Sequence, residues 1–270
     1  MFRKVYDEFE GYLDGTCQLG GLLPEGLRQA GECGALLRAA YVGKASHHLF
    51  ATPDYSLLPE GALYLRSDDQ QRTTLSGQAL VQGMFDLPAG VAVPWHTADF
   101  GMDWIRDNKD WCPVLDDAKK EAADTEAFKA FNVSAEQEAL VEQLTGVIGP
   151  QFTFTHFTDC LTTTICSDHP IPVGLTAEMV RGAYIRSEWA SGYKMHYNSS
   201  RVAKLSSATL LSRFKEGVAS AVAGGEGAER LALFSGHDTT VSPVLHALDP
   251  PGWGGAWPGY SSLLLVEVYR

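Results

Sequence analysis

The sequence predicts an α/β fold carrying a helical insertion, and three observations support that expectation. Two short apolar runs of strand length, Ala62 to Arg66 and Leu231 to Phe234, are each followed by a turn and then a helical pattern. A third, Ser261 to Tyr269, is rich in Leu and Val and follows the turn-forming PPGWGGAWPG, so it reads as a closing strand. Between them lies a long charged, Ala-rich stretch with no strand signal of comparable strength. Strands alternating with helices at the ends, and helices grouped in the middle, indicate a sheet core interrupted by a helical segment.

The elements follow in order. After a polar, Gly-rich opening stretch, Leu27, Ala30, Gly34, Leu37 and Tyr41 recur at spacings of three and four, which places them on one helical face from about Pro24 to Tyr41. Pro24 suits a first turn because its missing N–H is not needed there. The strand at Ala62 to Arg66 runs into SDDQQRTTLSGQALVQGMF, where Ser67 and Gln70 have the spacing of a capping box. Asp68 and Asp69 suit the positive end of a helix dipole. Val91 to Pro94 suggests a further short strand ending at His96, after which DWIRDNKDWC opens the helical insertion. Helices are expected from Thr176 to Lys194 and from Ala203 to Ala221, a loop at 223–229, and a helix capped by Thr239 or Thr240 that runs to Leu248. The expected division is a core of residues 1–98 and 205–270 with a mainly helical insertion at 99–204.

Composition narrows the function. Thirty-three acidic and twenty-one basic residues give a formal charge of -12, a field that repels nucleic-acid backbones and anionic lipid surfaces. An anionic substrate would therefore need a local cluster of positive groups. No run approaches the roughly 18 apolar residues of a membrane span, and MFRKVYDEFEGYLDG lacks the apolar centre of a signal peptide. Two sequons, Asn132-Val-Ser and Asn198-Ser-Ser, would matter only in a secretory compartment. Five cysteines, Cys17, Cys33, Cys112, Cys160 and Cys166, are an odd number, so one at least is unpaired within the chain.

Two places carry chemistry. In open α/β sheets, ligands bind beyond the carboxyl ends of strands, where helix N-termini favour anions. Arg66 occupies such a place, and so does the His237-Asp238 pair. An arginine fork suits phosphate oxygens, an imidazole can donate to them, and a neighbouring carboxyl can supply a proton. By itself Arg66 reads as an ion-pair arginine and Asp238 as a helix cap. A rival constellation, His156, Cys160, Cys166 and His169 in HFTDCLTTTICSDH, has spacings that tetrahedral zinc could accept but fits no named zinc pattern.

Longer patterns decide between these readings. LYLRSDDQQRTTLSGQALVQGMF resembles the block RSTD..RT..SA.A...G.F of the histidine acid phosphatases, branch 2 of the histidine phosphatases, and SGHDTT resembles their GHDTT block. CQLGGLLPEGLRQAGECGALLRAAYVG, VPWHTADFGMDWI and WPGYSSLLLVEVY resemble three further stretches of that family in the same order. The resemblance implies a three-layer α/β/α core, like that of phosphoglycerate mutases, with a mixed, mostly parallel sheet. It also implies hydrolysis of small-molecule phosphate monoesters through a phosphohistidine, with no metal or other cofactor. On this resemblance Arg66 clamps phosphate, His237 is a second, phosphate-contacting histidine and Asp238 is the general acid.

One departure is severe. The family's RHG.R.P signature, which carries the nucleophilic histidine on the first core strand, is found nowhere in the 270 residues. The expectation is an N-terminally incomplete form whose first core strand is missing and whose full-length version enters the secretory pathway, to the lysosome or the exterior. The alternative is an inactive pseudophosphatase that binds phosphorylated ligands or a protein partner. His96 reads as a scaffold residue near the site, His47 and His48 as loop residues, and His246 as helical; none is assigned catalysis.

Overall fold

The structure, a computed structural model, describes residues 20–44, 48–224 and 228–269. The opening stretch through Leu19 with Cys17, His47, and part of the 223–229 loop lie outside the described residues. In chain order the elements are α1 (Pro24–Tyr41), β1 (Leu63–Ser67), α2 (Gln71–Met84), α3 (Val114–Ala123), α4 (Glu126–Asn132), α5 (Ala135–Ile148), α6 (Phe154–Cys166), α7 (Ala177–Ala223), β2 (Leu231–Ser235) and α8 (Asp238–Leu248). They fall into two compact units. One comprises residues 20–115, 203–252 and 257–269; the other comprises 116–202 and 253–256.

In the first unit, β1 and β2 pair in parallel, with Arg66 opposite Phe234 and Ser67 opposite Ser235. Leu65, Leu37, Phe50, Met84 and Phe85 form the buried core beneath them. Helix α1 begins at a proline as the sequence predicts, and it lies so close to α2 that two glycines are obligatory. A Cβ on Gly34 would stand 2.0 Å from the carbonyl oxygen of Leu80, and one on Gly83 would stand 2.1 Å from that of Gly31. Removing side chains at both contacts lets the backbones approach. The predicted α/β class is correct, with a parallel pair as the sheet among the described residues.

The second unit is helical. Leu144, Phe157, Leu161, Met179 and Ala183 fill its core from α5, α6 and α7. Thr125 and Thr153 cap α4 and α6 by accepting from the N–H groups of Phe128 and His156, at 3.3 Å each. Such caps satisfy amides that have no partner within the helix. Helix α7 is broken at Tyr197–Ser200, where Asn198, Ser199 and Ser200 hold φ of 50°, 56° and 60°. The two helices expected from the sequence thus stand on either side of a break.

Four sequence expectations are corrected. Val91 to Pro94 forms no strand. Only His96 bridges β1, through His96 N–H to Leu65 O (2.9 Å) and Ser67 N–H to His96 O (3.1 Å), and Pro94 has no N–H to extend the ladder. The Ser67/Gln70 capping box does not form, because Ser67 still belongs to β1 and its hydroxyl meets that of Thr74 at 3.1 Å. The N-cap of α8 is His237, with Thr240 at the third helical position, accepting from the His237 N–H at 3.0 Å. Residues 261–269 are not a strand. A strand needs a partner ladder as well as β-forming side chains, and this segment pairs with no described strand, leaving Leu265 52% and Val266 53% exposed. It is held to α1 by Tyr41, whose hydroxyl donates to Glu267 at 2.5 Å. That hydrogen bond, with burial and the nearby negative charge, pushes the Tyr41 phenol up to about 12.

Candidate active site

Because β1 and β2 are parallel and in register, their carboxyl ends lie side by side, and α2 and α8 both start just beyond them. Cross-links stitch the two exits together. Asp68 N–H donates to Ser235 O at 3.3 Å, and the Ser235 hydroxyl donates to Thr73 O at 2.7 Å. Gly236 is required at this junction, since a Cβ there would lie 2.5 Å from Thr240 Oγ1.

The main contact of the site was absent from the sequence reading. His237 Nε2 meets Asp68 Oδ2 at 2.5 Å, across 169 residues of chain. Asp68 is 1% exposed. Burial pushes its carboxyl up, but hydrogen bonds from His237 and Thr73 and the charges of His237 and Arg106 outweigh that, so it sits below the ordinary carboxylate value. The buried group is an anion with partners on both oxygens, Thr73 Oγ1 holding Oδ1. Asp68 stands where the family block RSTD has a threonine, and that difference was the available signal.

Asp238 opens α8. Its Oδ1 accepts from Thr239 N–H and its Oδ2 from the Trp257 indole, both at 2.8 Å. Arg66 has a different setting from the one expected. Its Nη2 donates to Asp103 Oδ1 at 2.9 Å in a pair whose side chains are 6% and 0% exposed, and its guanidinium lies 4.2 Å over the Trp104 ring. Asp103 Oδ1 also accepts from Ile105 N–H at 3.1 Å. Within this pair, Arg66 Nε and Asp103 Oδ2 are buried without a hydrogen bond among the described residues. The structure therefore brings His237, Asp238 and Arg66 to one end of the sheet, but ties the arginine's fork to a carboxylate.

A second cation was overlooked. Arg72, in the first turn of α2 and next to the Asp68-bonded Thr73, is half-buried and donates to Gly20 O at 3.3 Å. His96 stacks on Tyr64 with ring centroids 4.7 Å apart, as a packing residue beside β1. His246 is helical and buried, its Nδ1–H donating to Ser242 O at 2.9 Å. His48 is exposed. In the helical unit, His156, Cys160 and Cys166 lie along α6, and among the described residues no group of three or more His, Cys, Asp or Glu side chains is placed to hold a metal ion. The zinc reading has no geometric support. Among the described residues no helix is long and apolar enough to cross a membrane.

Comparison with known proteins agrees with this architecture. The family description "Histidine phosphatase superfamily (branch 2)" matches residues 2–173, and the chain belongs to that family. Counting factor 60 of Dictyostelium discoideum is 27% identical over 284 residues, which cover all of this chain and 64% of that protein. The chain thus spans just under two thirds of the length of this curated relative. Among solved structures, the phytase of Citrobacter braakii superposes with a TM-score of 0.61 at 17% identity, over 87% of this chain and 67% of that one. The Klebsiella sp ASR1 phytase gives 0.62 at 16% identity, over 95% and 72%. These two similarities establish the histidine phosphatase fold.

Proposed function

We propose that the chain carries a site for phosphate monoesters at the carboxyl ends of β1 and β2, of the acid phosphatase type, with His237 contacting phosphate and Asp238 protonating the leaving alcohol. The observation that carries this reading is the parallel register, which sets His237 and Asp238 beside the β1 exit, where two helix N-termini favour an anion. Phosphoryl transfer asks mainly for positioning and charge neutralisation, which suits such a site. Arg66 can contribute through Nε and by ordering Asp103, while the half-exposed Arg72 is the more available fork. The phosphohistidine route also needs an attacking histidine, and we assign that role to none of the histidines in the 270 residues. In the leaving step the attacking nucleophile bonds to phosphorus as the P–O ester bond breaks, and the Asp238 carboxyl proton passes to the departing oxygen.

A second reading is phosphate-ester binding without turnover. It is favoured by the setting of Asp238, whose two oxygens are each held by an N–H donor, Thr239 and Trp257, as in a helix-capping carboxylate. The two readings separate in one kinetic series. Under hydrolysis, Asp238→Asn slows turnover about 100-fold or more for poor leaving groups, much less for good ones, and leaves KM nearly unchanged. Arg72→Ala raises KM, whereas Arg66→Ala lowers the melting temperature first. Equal losses for good and poor leaving groups would remove the proton-donor role, and phosphate binding with no turnover by the unaltered chain would establish the second reading.

A further inference from the structure

The segment that supplies Asp103 to Arg66 also supplies a cation that no contact above explains. The guanidinium carbon of Arg106 lies 3.6 Å from the centroid of the Phe100 ring. Stacking of this kind fixes the plane of the group and consumes none of its N–H donors. Nη1 is buried without a hydrogen-bond partner among the described residues, and the residue as a whole is half-buried. Asp68 gives one oxygen to Thr73 and the other to His237, and Asp103 Oδ1 serves Arg66 and the Ile105 amide, while Asp103 Oδ2 is buried without a hydrogen bond among the described residues. Even so, the charge of Arg106 is felt at Asp68, where it helps hold the carboxyl in its ionised form. Arg106 lies three residues beyond Asp103, the carboxylate that holds Arg66 at the β1 exit.

Among the described residues no carboxylate meets Arg106 Nη1, although the chain has thirty-three acidic residues and a net charge of -12. Buried N–H groups left without acceptors cost free energy unless a ligand supplies them. A planar fork held on an aromatic face is suited to a tetrahedral oxyanion, because two parallel N–H groups can meet two oxygens at once. We propose that Arg106 is a further phosphate-binding residue of the His237 site, its donor edge receiving oxygens of the bound ester. This inference rests on the reading of that site as a phosphate site and deepens it. Arg106 supplies a local positive group of the kind that the overall acidic charge demands of any site for an anion.

The test is binding of inorganic phosphate to the full chain by calorimetry, with thermal melting of each variant measured alongside. Arg106→Ala weakens phosphate binding about 10-fold to 100-fold, as expected for loss of a charge-assisted contact. Arg106→Gln, which keeps much of the side-chain length without the charge, weakens it similarly and guards against simple misfolding. Arg106→Lys retains part of the affinity, because charge survives and the fork does not. Arg201→Ala, in the helical unit and paired with Glu121, leaves binding unchanged. If Arg106→Ala and Arg106→Gln bind phosphate as the unaltered chain does while His237→Ala weakens it, the assignment of Arg106 is overturned and the site stands. If the unaltered chain binds no phosphate, or His237→Ala binds it undiminished, the site reading falls and takes this inference with it.

Discussion

At the scale of single residues, the strongest link between the two strand exits is Asp68, a carboxylate withdrawn from solvent and bonded to an imidazole that is remote in sequence. Its carboxyl value is depressed in the folded chain, so its contribution to stability is fully present above the ordinary value of 3.8 and is lost as pH falls through the lower folded value. The window of loss lies on the acid side, below about pH 4. Asp68→Asn removes the charged acceptor that His237 and Thr73 meet and should cost about 1–3 kcal/mol at neutral pH, the usual penalty for disrupting buried hydrogen bonds to a charged group. Urea unfolding measured from pH 3 to pH 7 checks both parts: the variant is less stable at pH 7, and its stability falls less steeply on acidification. Equal slopes for the two proteins would show that Asp68 is not the titrating group. The residue was legible only as a helix-dipole partner, because the feature that gives it meaning, His237, is contributed by another part of the chain.

At the scale of elements, local pattern and tertiary partner divide the outcome. Helix α1 matches its sequence expectation at both ends, since its spacing of apolar residues and its first-turn proline are local signals. The 261–269 segment has equally strong β-forming composition and is not a strand, because pairing is not a local property. The failed capping box follows the same logic: Ser67 could cap a helix, but β1 claims its backbone first. The contact between α1 and α2 gives a direct test. Gly34→Ala puts a methyl 2.0 Å from the Leu80 carbonyl oxygen, a backbone atom that cannot swing aside, so the helices must separate. The expected cost is about 1–3 kcal/mol or more, read as a lower melting temperature. Gly101→Ala, where a Cβ meets nothing within 4 Å, is the matched control with little change.

At the scale of the whole molecule, each of the two units has its own apolar centre, built from different residues. Phe157 is fully buried among Leu144, Leu161 and Met179. Phe157→Ala should cost about 3–5 kcal/mol through the cavity it leaves, with amide exchange accelerating in α5 and α6. Unchanged protection there would mean that the helical unit is not organised around that ring. The α/β class, the helix-rich middle and the two strand-to-helix exits were legible from hydropathy spacing, because each depends on residues a few positions apart. The RSDD and SGHDTT blocks likewise pointed to the end of the sheet where the site would lie.

The sequence alone determined where strands give way to helices, which residues stand at those junctions, and that a protein of this charge needs local cations to hold an anion. Only the tertiary structure decided how those groups are shared: Asp68 with His237, Asp103 with Arg66, and Arg106 stacked on Phe100 with its Nη1 unpartnered among the described residues. The reason is the range of the interactions. Periodicity and turn chemistry act over a few residues and are written in the local order of side chains. A buried charge instead finds its partner through the folded core, so its role depends on which distant segment arrives beside it.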